Sequence, residues 1–584
     1  MNTGSSIPEP GHIGLALSGG GFRASLFHLG VIRRLEELGI MENVSVVSAV
    51  SGGSIIAAFY LSEMEKQLRA GRLLIQECDR VVLYEKIAEK FLRAVDHNLR
   101  TRALVYTPFF HPVRFMKTIV SQVFRSSARA ELIQAEYDTF FFFGDTMDQL
   151  PVERAEQALV QPQRSCTGKE EPFYGPRLLL NTTSLLTGER RTFSRDTSSG
   201  IKDLKTSDKN VLPLSRVVGA SSGVPVLFPP TAILGDLLVD GGISDNQGIE
   251  GLLDPMNECN VILVSDASGQ MPVKHNLSPS DVSVYERVNE IFQFQIRNKL
   301  LEQLLTWGQR GDIPRRFAFI HLLINLKTRQ GMPARVSTNI LPALGQIRTD
   351  LDQFSPVESE ALMYHGYTLI DAQLRQYCCD YFRANFPKFE EKLKTPPLFR
   401  KAVQKANLDQ AQKDGSTLQD PIREDLEAGC ESFYLYRCLK KYRVWTLAAF
   451  GLGIGIFAAL LWCCFGPGSG LITWIRDGLE AILFGVVPRF LVAYLDRLLG
   501  FFGYSEGLFK TIDSLAHLAA LLVVIAVAGY VASFPAYMFI RWKAMKLDRV
   551  NYRKITGTDF PAHWTEEAEA VPKEEPTAPP AGAA

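Results

Sequence analysis

Two short apolar runs near the N-terminus each lead directly into a helical pattern. The first, Ile13–Ser18, precedes Arg23–Leu38, in which apolar residues recur at helical spacing. The second, Val44–Val50, is rich in β-branched residues, which favours a strand buried in a parallel sheet. The apolar, Ala-rich stretch Ile55–Phe59 follows almost without a loop and favours a helix. The pattern therefore predicts a strand that turns sharply into a helix at residues 51–54.

The same kind of pattern predicts further strands in the middle of the chain. Arg177–Ser184 and Arg190–Phe193 predict a hairpin around a Thr-Gly turn. Val261–Asp266 is a short apolar run and predicts another buried strand.

Two long segments instead have a mainly helical pattern. Residues from about 65 to 163 are helical and charged, with few turn signals. Within them the aromatic run Phe140–Phe143 predicts a buried strand, and a lid or a membrane-facing surface is the alternative. Residues 280–400 predict mostly amphipathic helix, broken near Pro314 and Pro333.

Two uncharged stretches near the C-terminus predict transmembrane helices. Val444–Phe465 has 22 residues without a charge, and Leu515–Ile540 has 26 residues without Asp, Glu, Lys or Arg. Each exceeds the roughly 20 residues needed to cross a bilayer. Lys and Arg flank the outer end of each stretch, so the positive-inside rule places both flanks in the cytoplasm and residues 466–514 on the far side. The tail from Glu566 is rich in Glu, Pro and Ala and is predicted to be disordered.

Composition excludes some classes of protein. The chain has 584 residues, too many for one typical domain, and its 63 Lys and Arg balance its 63 Asp and Glu. No global charge therefore points to nucleic acid as a partner. The nine cysteines include no C-x-x-C pair, and no His, Cys or acidic cluster has ligand spacing, so we expect neither a metal nor another cofactor. The N-terminus is short and polar, so we do not expect it to be a signal peptide.

Candidate chemistry begins at the predicted turn after Val50. A serine at so tight a strand-to-helix turn is lifted out of the sheet with a helix N-terminus behind it. Ser51, flanked by Ala49 and Gly53, fits a G-x-S-x-G nucleophile elbow with Ala in the first Gly position. The alternative is an ordinary glycine-containing turn.

The glycines Gly19, Gly20 and Gly21 stand between the first strand and the first helix. Consecutive glycine N–H groups at a helix N-terminus form an anion-binding concavity, which suits an oxyanion hole. A nucleotide site is the alternative, but no Gly-Lys-Ser/Thr follows the glycines. His28, on the first helix, is either a catalytic base or a packed histidine, and we favour packing.

Downstream, Asp240-Gly241-Gly242 is followed by Asn246, and Ala220–Pro230 lies just upstream. Alone, an Asp before two glycines is a turn. Together, these segments and the two N-terminal ones resemble the motifs of the patatin-like phospholipase family over residues 10–270, with an unmatched insert from about 65 to 170. Ser18 and Ala49 depart from the family pattern.

The resemblance implies a patatin-like three-layer α/β/α domain with a central, mostly parallel sheet. It also implies that Ser51 is the nucleophile, that Asp240 is its base, and that Gly19–Gly21 hold the oxyanion. Arg23 would orient that loop or bind a lipid phosphate, a structural salt bridge being the alternative. The family uses no catalytic histidine.

The expected organisation is an α/β domain followed by a helical transmembrane region. The predicted parts are a catalytic domain, linking helices, a membrane region with two spans, and a disordered tail: residues 1–400, 401–440, 441–546 and 547–584. The expected function is a serine lipid acyl hydrolase, integral to a membrane, facing the cytoplasm and taking membrane lipids as substrate. Acyl transfer by the same Ser-Asp dyad and a non-catalytic membrane scaffold are the alternatives.

Overall fold

The computed structural model of the protein describes most of residues 1–400 and parts of the C-terminal region. It covers residues 12–69, 77–110, 130–153, 174–195, 211–225, 227–257, 259–268, 281–309, 315–324, 340–386, 388–394, 421–430, 434–465 and 507–556. The predicted disordered tail from Glu566 and most of the predicted 466–514 connection lie outside these residues. The domain boundaries stay predictions.

Ten strands are present in the part of the chain that the structure describes. They are β1 (His12–Leu17), β2 (Val44–Val50), β3 (Val152–Glu153), β4 (Tyr174–Gly175), β5 (Arg177–Ser184), β6 (Arg190–Phe193), β7 (Thr231–Ile233), β8 (Asp236–Asp240), β9 (Cys259–Asp266) and β10 (Arg316–His321). Strands β3 and β4 form a separate two-stranded ribbon. The other eight form the central sheet.

The central sheet has the order β10-β9-β1-β2-β5-β8-β7, and β6 also pairs with β5. The strands from β10 to β5 pair in parallel, whereas β8, β7 and β6 pair antiparallel. The sheet is therefore mixed: the predicted parallel part runs from β10 to β5, and the antiparallel strands join it at the β5 end. β10 was not predicted, because Arg316–His321 is a six-residue run inside a region whose overall pattern is helical.

Side chains from alternate residues of the inner strands enter two different cores, as the period of two in a strand requires. Ile13, Leu15 and Leu17 of β1 contribute to the larger core, whereas Ala16 contributes to the smaller one. The strands thus have helices packed against both faces, which fits the predicted α/β/α arrangement.

Seventeen α-helices are present in the same described residues. They are α1 (Gly21–Glu37), α2 (Gly52–Arg69), α3 (Glu77–Val95), α4 (Leu99–Leu104), α5 (Thr107–Phe110), α6 (Ala130–Tyr137), α7 (Leu214–Ser221), α8 (Ile249–Leu253), α9 (Asp281–Gln309), α10 (Leu341–Gln346), α11 (Pro356–Gln373), α12 (Cys379–Asn385), α13 (Phe389–Lys394), α14 (Pro421–Gly429), α15 (Tyr434–Lys441), α16 (Arg443–Phe465) and α17 (Gly507–Thr556).

The predicted strand at Phe140–Phe143 is wrong. Asp138–Phe142 forms a turn of π-helix that continues α6, and Phe143 ends it in a left-handed conformation. Phe141 and Phe142 are buried, and Phe141 packs its ring against other aromatic rings, including that of Phe22. Burial of aromatic side chains is compatible with either secondary structure, so a run of four could not distinguish them.

Helices α1 and α11 cross at two glycines. A Cβ atom at Gly30 would lie 1.7 Å from the carbonyl oxygen of Met363, and one at Gly366 would lie 2.2 Å from the carbonyl oxygen of Phe27. The two helix backbones are therefore in direct contact, with no room for a side chain between them. This contact fixes α1, which begins at the glycine turn beside Ser51.

The chain divides into two compact units, Met1–Tyr434 with Asp548–Ala584, and Leu435–Leu547. Within the residues that the structure covers, one helix is long and apolar enough to cross a membrane, by length and composition alone. It is α16, over Arg443–Trp462, where 11% of the apolar window is buried. The second predicted span, Leu515–Ile540, falls inside α17, but its residues 515–524 lie outside the residues to which this test applies. The predicted pair of spans is therefore not confirmed.

The glycine crossing generates a prediction on stability. We expect Gly30→Ala to lower the free energy of unfolding by about 1–3 kcal/mol, because the new methyl group meets rigid backbone. Gly219→Ala on α7 is the matched control, since there the methyl group meets the flexible side chain of Gln134. Urea denaturation of both variants is the measurement. An equal loss in both would contradict a special role for the crossing.

Candidate active site

Ser51 lies at the sharp turn between β2 and α2, where the sequence predicts an elbow. Its φ angle is +48°, a left-handed conformation that is rare for residues other than glycine. The next two residues must be glycines. A Cβ atom at Gly52 would lie 2.1 Å from the carbonyl oxygen of Gly21, and one at Gly53 would lie 2.3 Å from that of Leu17. The elbow therefore packs directly against the glycine turn.

The glycine turn joins β1 to α1 and presents two of its three residues to the same cleft. The N–H of Gly19 donates to the carbonyl of Asn246 at 3.0 Å, so this group is already engaged. Gly20 and Gly21 have φ angles of +134° and +57° and line the cleft beside Ser51. Of the three glycines predicted to bind an oxyanion, these two are the candidates.

Asp240 reaches the cleft from the last position of β8. Its Oδ1 accepts a hydrogen bond from the N–H of Gly242 at 2.7 Å. Its Oδ2 is buried and has no hydrogen-bond partner among the described residues. The Ser51 hydroxyl lies beside the carboxylate, near enough to lower its pKa but outside regular hydrogen-bond geometry. Burial outweighs both of these contacts and raises the pKa of Asp240 to about 6.

Strand β5 brings Ser51 and Asp240 together, although 189 positions separate them in the sequence. Val50, the last residue of β2, is opposite Asn181 of β5, and Asp240 is opposite the next residue, Thr182. β2 runs parallel to β5 and β8 runs antiparallel to it, so β2 and β8 meet end to end. The nucleophile candidate and the base candidate occupy this meeting point.

Ser221, at the end of α7, fixes the turn from behind. Its hydroxyl donates to the carbonyl of Asn181 at 2.6 Å and accepts from the N–H of Ser51 at 3.1 Å. The hydroxyl of Ser54 lies 2.8 Å away from it. One buried hydroxyl therefore connects the elbow, β5 and α2, which explains why a serine occupies this position in the Ala220–Pro230 segment.

Ser18 stands where the family pattern has Asp. Its hydroxyl accepts a hydrogen bond from the N–H of Ala267 at 2.8 Å, which connects the glycine turn to the end of β9. Because serine makes this contact without a charge, the difference from the family pattern at position 18 does not disturb the glycine turn.

Ser51 and Asp240 open into a cleft of about 280 Å³ that is lined by apolar and polar residues, here called its apolar wall and its polar wall. One wall is apolar and partly exposed and consists of Val224, Pro225, Leu227, Phe228 and Ile243. The other wall is polar and consists of Arg23, Arg100, Asn246, Ser268, Gln293, Thr349 and Asp350. A ligand with a hydrocarbon part and a polar part matches this division.

Arg23 belongs to the polar wall, although its side chain is almost completely buried. Its Nη1 donates to the carbonyl of Ile347 at 2.7 Å, while Nε and Nη2 have no hydrogen-bond partner among the described residues. Burial lowers the pKa of Arg23 to about 10, which leaves the guanidinium charged at neutral pH. An orphaned buried cation of this kind is suited to binding an anionic group.

His28 does not line the cleft and is completely buried. One ring nitrogen lies 2.9 Å from the carbonyl of Ser18 and the other lies 2.8 Å from the hydroxyl of Ser265. Burial lowers the pKa of His28 to about 4, so the ring is neutral at physiological pH. The histidine therefore packs α1 against β9, which agrees with the interpretation favoured from the sequence.

Sequence reasoning missed two charged residues of the cleft, Arg100 and Asp350. No motif surrounds either residue, and the family resemblance stops before Asp350. Within the described ranges, no three His, Cys, Asp or Glu side chains are grouped as metal ligands would be.

Residues 15–253 match the model of the Patatin family, described as patatin-like phospholipase. This match supports the resemblance found in the motifs over that part of the chain. No curated protein matches the sequence.

Solved structures with similarity to the chain have low identity. VipD from Legionella pneumophila is 17% identical, with 90% of this chain and 92% of that chain covered and a TM-score of 0.25. Human GIVD cytosolic phospholipase A2 in complex with methyl gamma-linolenyl fluorophosphonate is 14% identical, with 66% and 60% covered and a TM-score of 0.38. Full-length ExoU with SpcU from Pseudomonas aeruginosa is 14% identical, with 88% and 91% covered and a TM-score of 0.19.

Proposed function

We propose that the protein is a serine lipid acyl hydrolase that cleaves fatty-acyl esters of phospholipids with a Ser51–Asp240 dyad. The observation that carries this proposal is the convergence of Ser51, Asp240 and the glycine turn in one cleft with an apolar wall. The match of residues 15–253 to patatin-like phospholipases supports the reaction class.

Acylation begins when Ser51 Oγ attacks the carbonyl carbon of the ester. A hydroxyl is a weak nucleophile unless a base accepts its proton, and Oδ2 of Asp240 is the available acceptor. The carbonyl oxygen then carries the negative charge of the tetrahedral intermediate. The N–H groups of Gly20 and Gly21 stabilise this oxygen at the positive end of α1.

Collapse of the intermediate breaks the bond between the acyl carbon and the alcohol oxygen. Asp240 returns its proton to the departing alcohol, and Ser51 retains the acyl group as an ester. Water then attacks this ester while Asp240 accepts the water proton. The bond between the acyl carbon and Ser51 Oγ breaks, Asp240 gives its proton to Oγ, and the fatty acid leaves with Ser51 restored. The pKa of about 6 leaves Asp240 ionised at neutral pH but more basic than an ordinary aspartate, as a proton acceptor requires.

The two walls of the cleft orient the substrate for this reaction. The acyl chain lies along the apolar wall, where burial of its methylene groups contributes about 0.8 kcal/mol each. Arg23 binds the phosphate of the lipid with Nε and Nη2. Because a lone carboxylate is a weak base, much of the rate must come from this positioning and from the oxyanion contacts.

The nucleophile is tested by removal of one oxygen. We expect Ser51→Ala to lower fatty-acid release from glycerophospholipid vesicles by at least about a thousandfold, and to abolish labelling by a fluorophosphonate probe. Ser54→Ala is the control, because that hydroxyl is three residues away and does not line the cleft. Wild-type turnover by Ser51→Ala, or loss only in Ser54→Ala, would refute the assignment.

The base is tested by charge removal at constant size. We expect Asp240→Asn to lower kcat/KM about 100-fold, as loss of a general base does. In the wild type kcat/KM should rise as pH increases through about 6, because Asp240 must lose its proton to act, and the variant should lack this rise.

Two further variants separate catalysis from folding in that experiment. Asp245 is buried with a pKa also raised to about 6 by burial, but three backbone N–H groups satisfy its carboxylate. Asp245→Asn should therefore lose stability and keep activity per folded molecule. An active Asp240→Asn together with an inactive, folded His28→Asn would show a histidine-based triad instead.

The membrane region belongs to the same proposal. Two spans, formed by residues 444–465 and 515–540, would anchor the protein with its catalytic domain on the cytoplasmic side. The apolar composition of α16 and the basic residues on the outer flanks support this topology. The anchor would keep the cleft next to its lipid supply.

The topology is tested with cysteines introduced at Gly4, Gly468 and Ala581 in a background without native cysteines. We expect an impermeant thiol reagent to label the cysteine at position 468 in intact cells, and to label positions 4 and 581 after permeabilisation only. Labelling of either terminus from outside would overturn the proposed orientation.

A further inference from the structure

A loop far outside the family match forms part of the cleft. This segment, the floor loop, comprises residues Ile347–Gln353 and contributes Thr349, Asp350 and Leu351 to the cleft lining. Its backbone is in direct contact with the glycine turn, because a Cβ atom at Gly21 would lie 2.7 Å from the carbonyl oxygen of Asp350.

The floor loop holds the first turn of α1 by two hydrogen bonds. The carbonyl of Asp350 accepts from the N–H of Phe22 at 2.8 Å, and the carbonyl of Ile347 accepts from Nη1 of Arg23 at 2.7 Å. N–H groups in the first turn of a helix have no partner within the helix, so an external carbonyl fixes the direction of the turn. Phe22 directly follows Gly20 and Gly21, so this contact sets where their N–H groups lie.

The side chain of Asp350 holds the floor loop in shape. Its Oδ1 accepts from the N–H of Leu351 at 2.7 Å and from that of Asp352 at 3.2 Å. Its Oδ2 lies 2.9 Å from a guanidinium nitrogen of Arg100 and 3.7 Å from Nε of Arg348. The carboxylate therefore pairs with Arg348 inside the floor loop and connects the loop to Arg100 outside it.

The helical insert supplies one of these cations and is itself attached to the floor loop. The N–H of Leu99 donates to the carbonyl of Leu351 at 3.0 Å, and the N–H of Thr101 donates to Oδ1 of Asp352 at 2.9 Å. Arg100 lies between them on α4. The insert, whose role the sequence left open, thus reaches the glycine turn through the floor loop.

We infer that Asp350 is a positioning residue for ester hydrolysis: it holds the floor loop so that Gly20 and Gly21 face the reacting carbonyl oxygen. This inference rests on the proposed function. The basis for this role of Asp350 is its contacts with the glycine turn, with Arg100 and with Arg348. Because Arg100 belongs to the insert, the inference also gives the insert a part in catalysis.

Replacing Asp350 by Asn keeps the size of the side chain but replaces an attraction to the two guanidinium groups by a repulsion. Asn keeps an oxygen for the N–H groups of Leu351 and Asp352, but it puts an NH2 group where Oδ2 faced two guanidinium groups. Burial and the neighbouring Asp352 raise the pKa of Asp350, while Arg100 and Arg348 oppose this rise. The loop is therefore expected to shift when these ion pairs are lost.

The test compares kcat with KM for a soluble ester, p-nitrophenyl butyrate, in Asp350→Asn and wild type. We expect kcat to fall by about tenfold to a hundredfold and KM to change by less than about twofold. The reason is that displaced oxyanion donors weaken binding of the transition state and not of the ground state.

Asp371→Asn is the matched control. Asp371 is as deeply buried as Asp350 and also pairs with two arginines, Arg34 at 2.6 Å and Arg375 at 2.7 Å. It differs from Asp350 in two ways. Arg34 lies at the opposite end of α1 from the glycine turn, and Asp371 does not line the cleft. This variant should keep kcat. Hydrogen exchange supplies a second readout: Asp350→Asn should speed exchange in residues 19–25, and Asp371→Asn should speed it in residues 31–38.

The outcomes are distinguishable. An equal loss of kcat in both variants would mean that Asp350 has only a structural role, and unchanged kcat in an active Asp350→Asn protein would also overturn the inference. A wild-type protein that neither turns over esters nor reacts with a fluorophosphonate probe would overturn the proposed function itself, and this inference with it.

Discussion

Pairing along a single strand sets the geometry on which the candidate site depends. Asn181 and Thr182 are consecutive residues of β5. Asn181 pairs with the end of β2, which Ser51 follows, and Thr182 pairs with Asp240 at the end of β8. The rise along a strand is roughly 3.4 Å per residue, so the register itself brings the two side chains within reach. A slip of one residue would turn every side chain of the moved strand to the other face. The separation of Ser51 and Asp240 is thus a property of the sheet rather than of the loops that follow it.

Close contact between backbones is the second constraint, and it explains where the sequence needs glycine. The elbow meets the glycine turn at Gly52, and the glycine turn meets the floor loop at Gly21. Neither contact leaves space for a side chain. In the proposed reaction the benefit is electrostatic, since backbone N–H groups that are already oriented cost no reorganisation when charge develops on the substrate. Ser51 adds the strain of a positive φ angle, which this packing holds in place.

Local pattern was sufficient for part of this arrangement. The strands β1, β2, β5, β6 and β9 could be predicted because each is a short apolar or alternating run next to clear turn residues. Ser51 and Gly19–Gly21 could be singled out because their chemistry is contiguous in sequence. The contact between Ser51 and Asp240 could not, since it depends on a register that only the family resemblance implied. Phe140–Phe143 and Asp350 show the remaining limit: burial does not specify secondary structure, and an isolated acid carries no motif.

Strand β9 has a consequence for how this protein can be divided. The family match ends at residue 253, yet β9 begins at Cys259 and pairs with β1 along its whole length. Truncation of the chain at residue 253 would leave β1 as an unprotected sheet edge, with apolar residues bared and backbone groups open to pairing with other chains. The region recognisable by homology is therefore smaller than the cooperative folding unit. Recombination or excision at the homology boundary would yield an aggregation-prone fragment rather than a transferable enzyme.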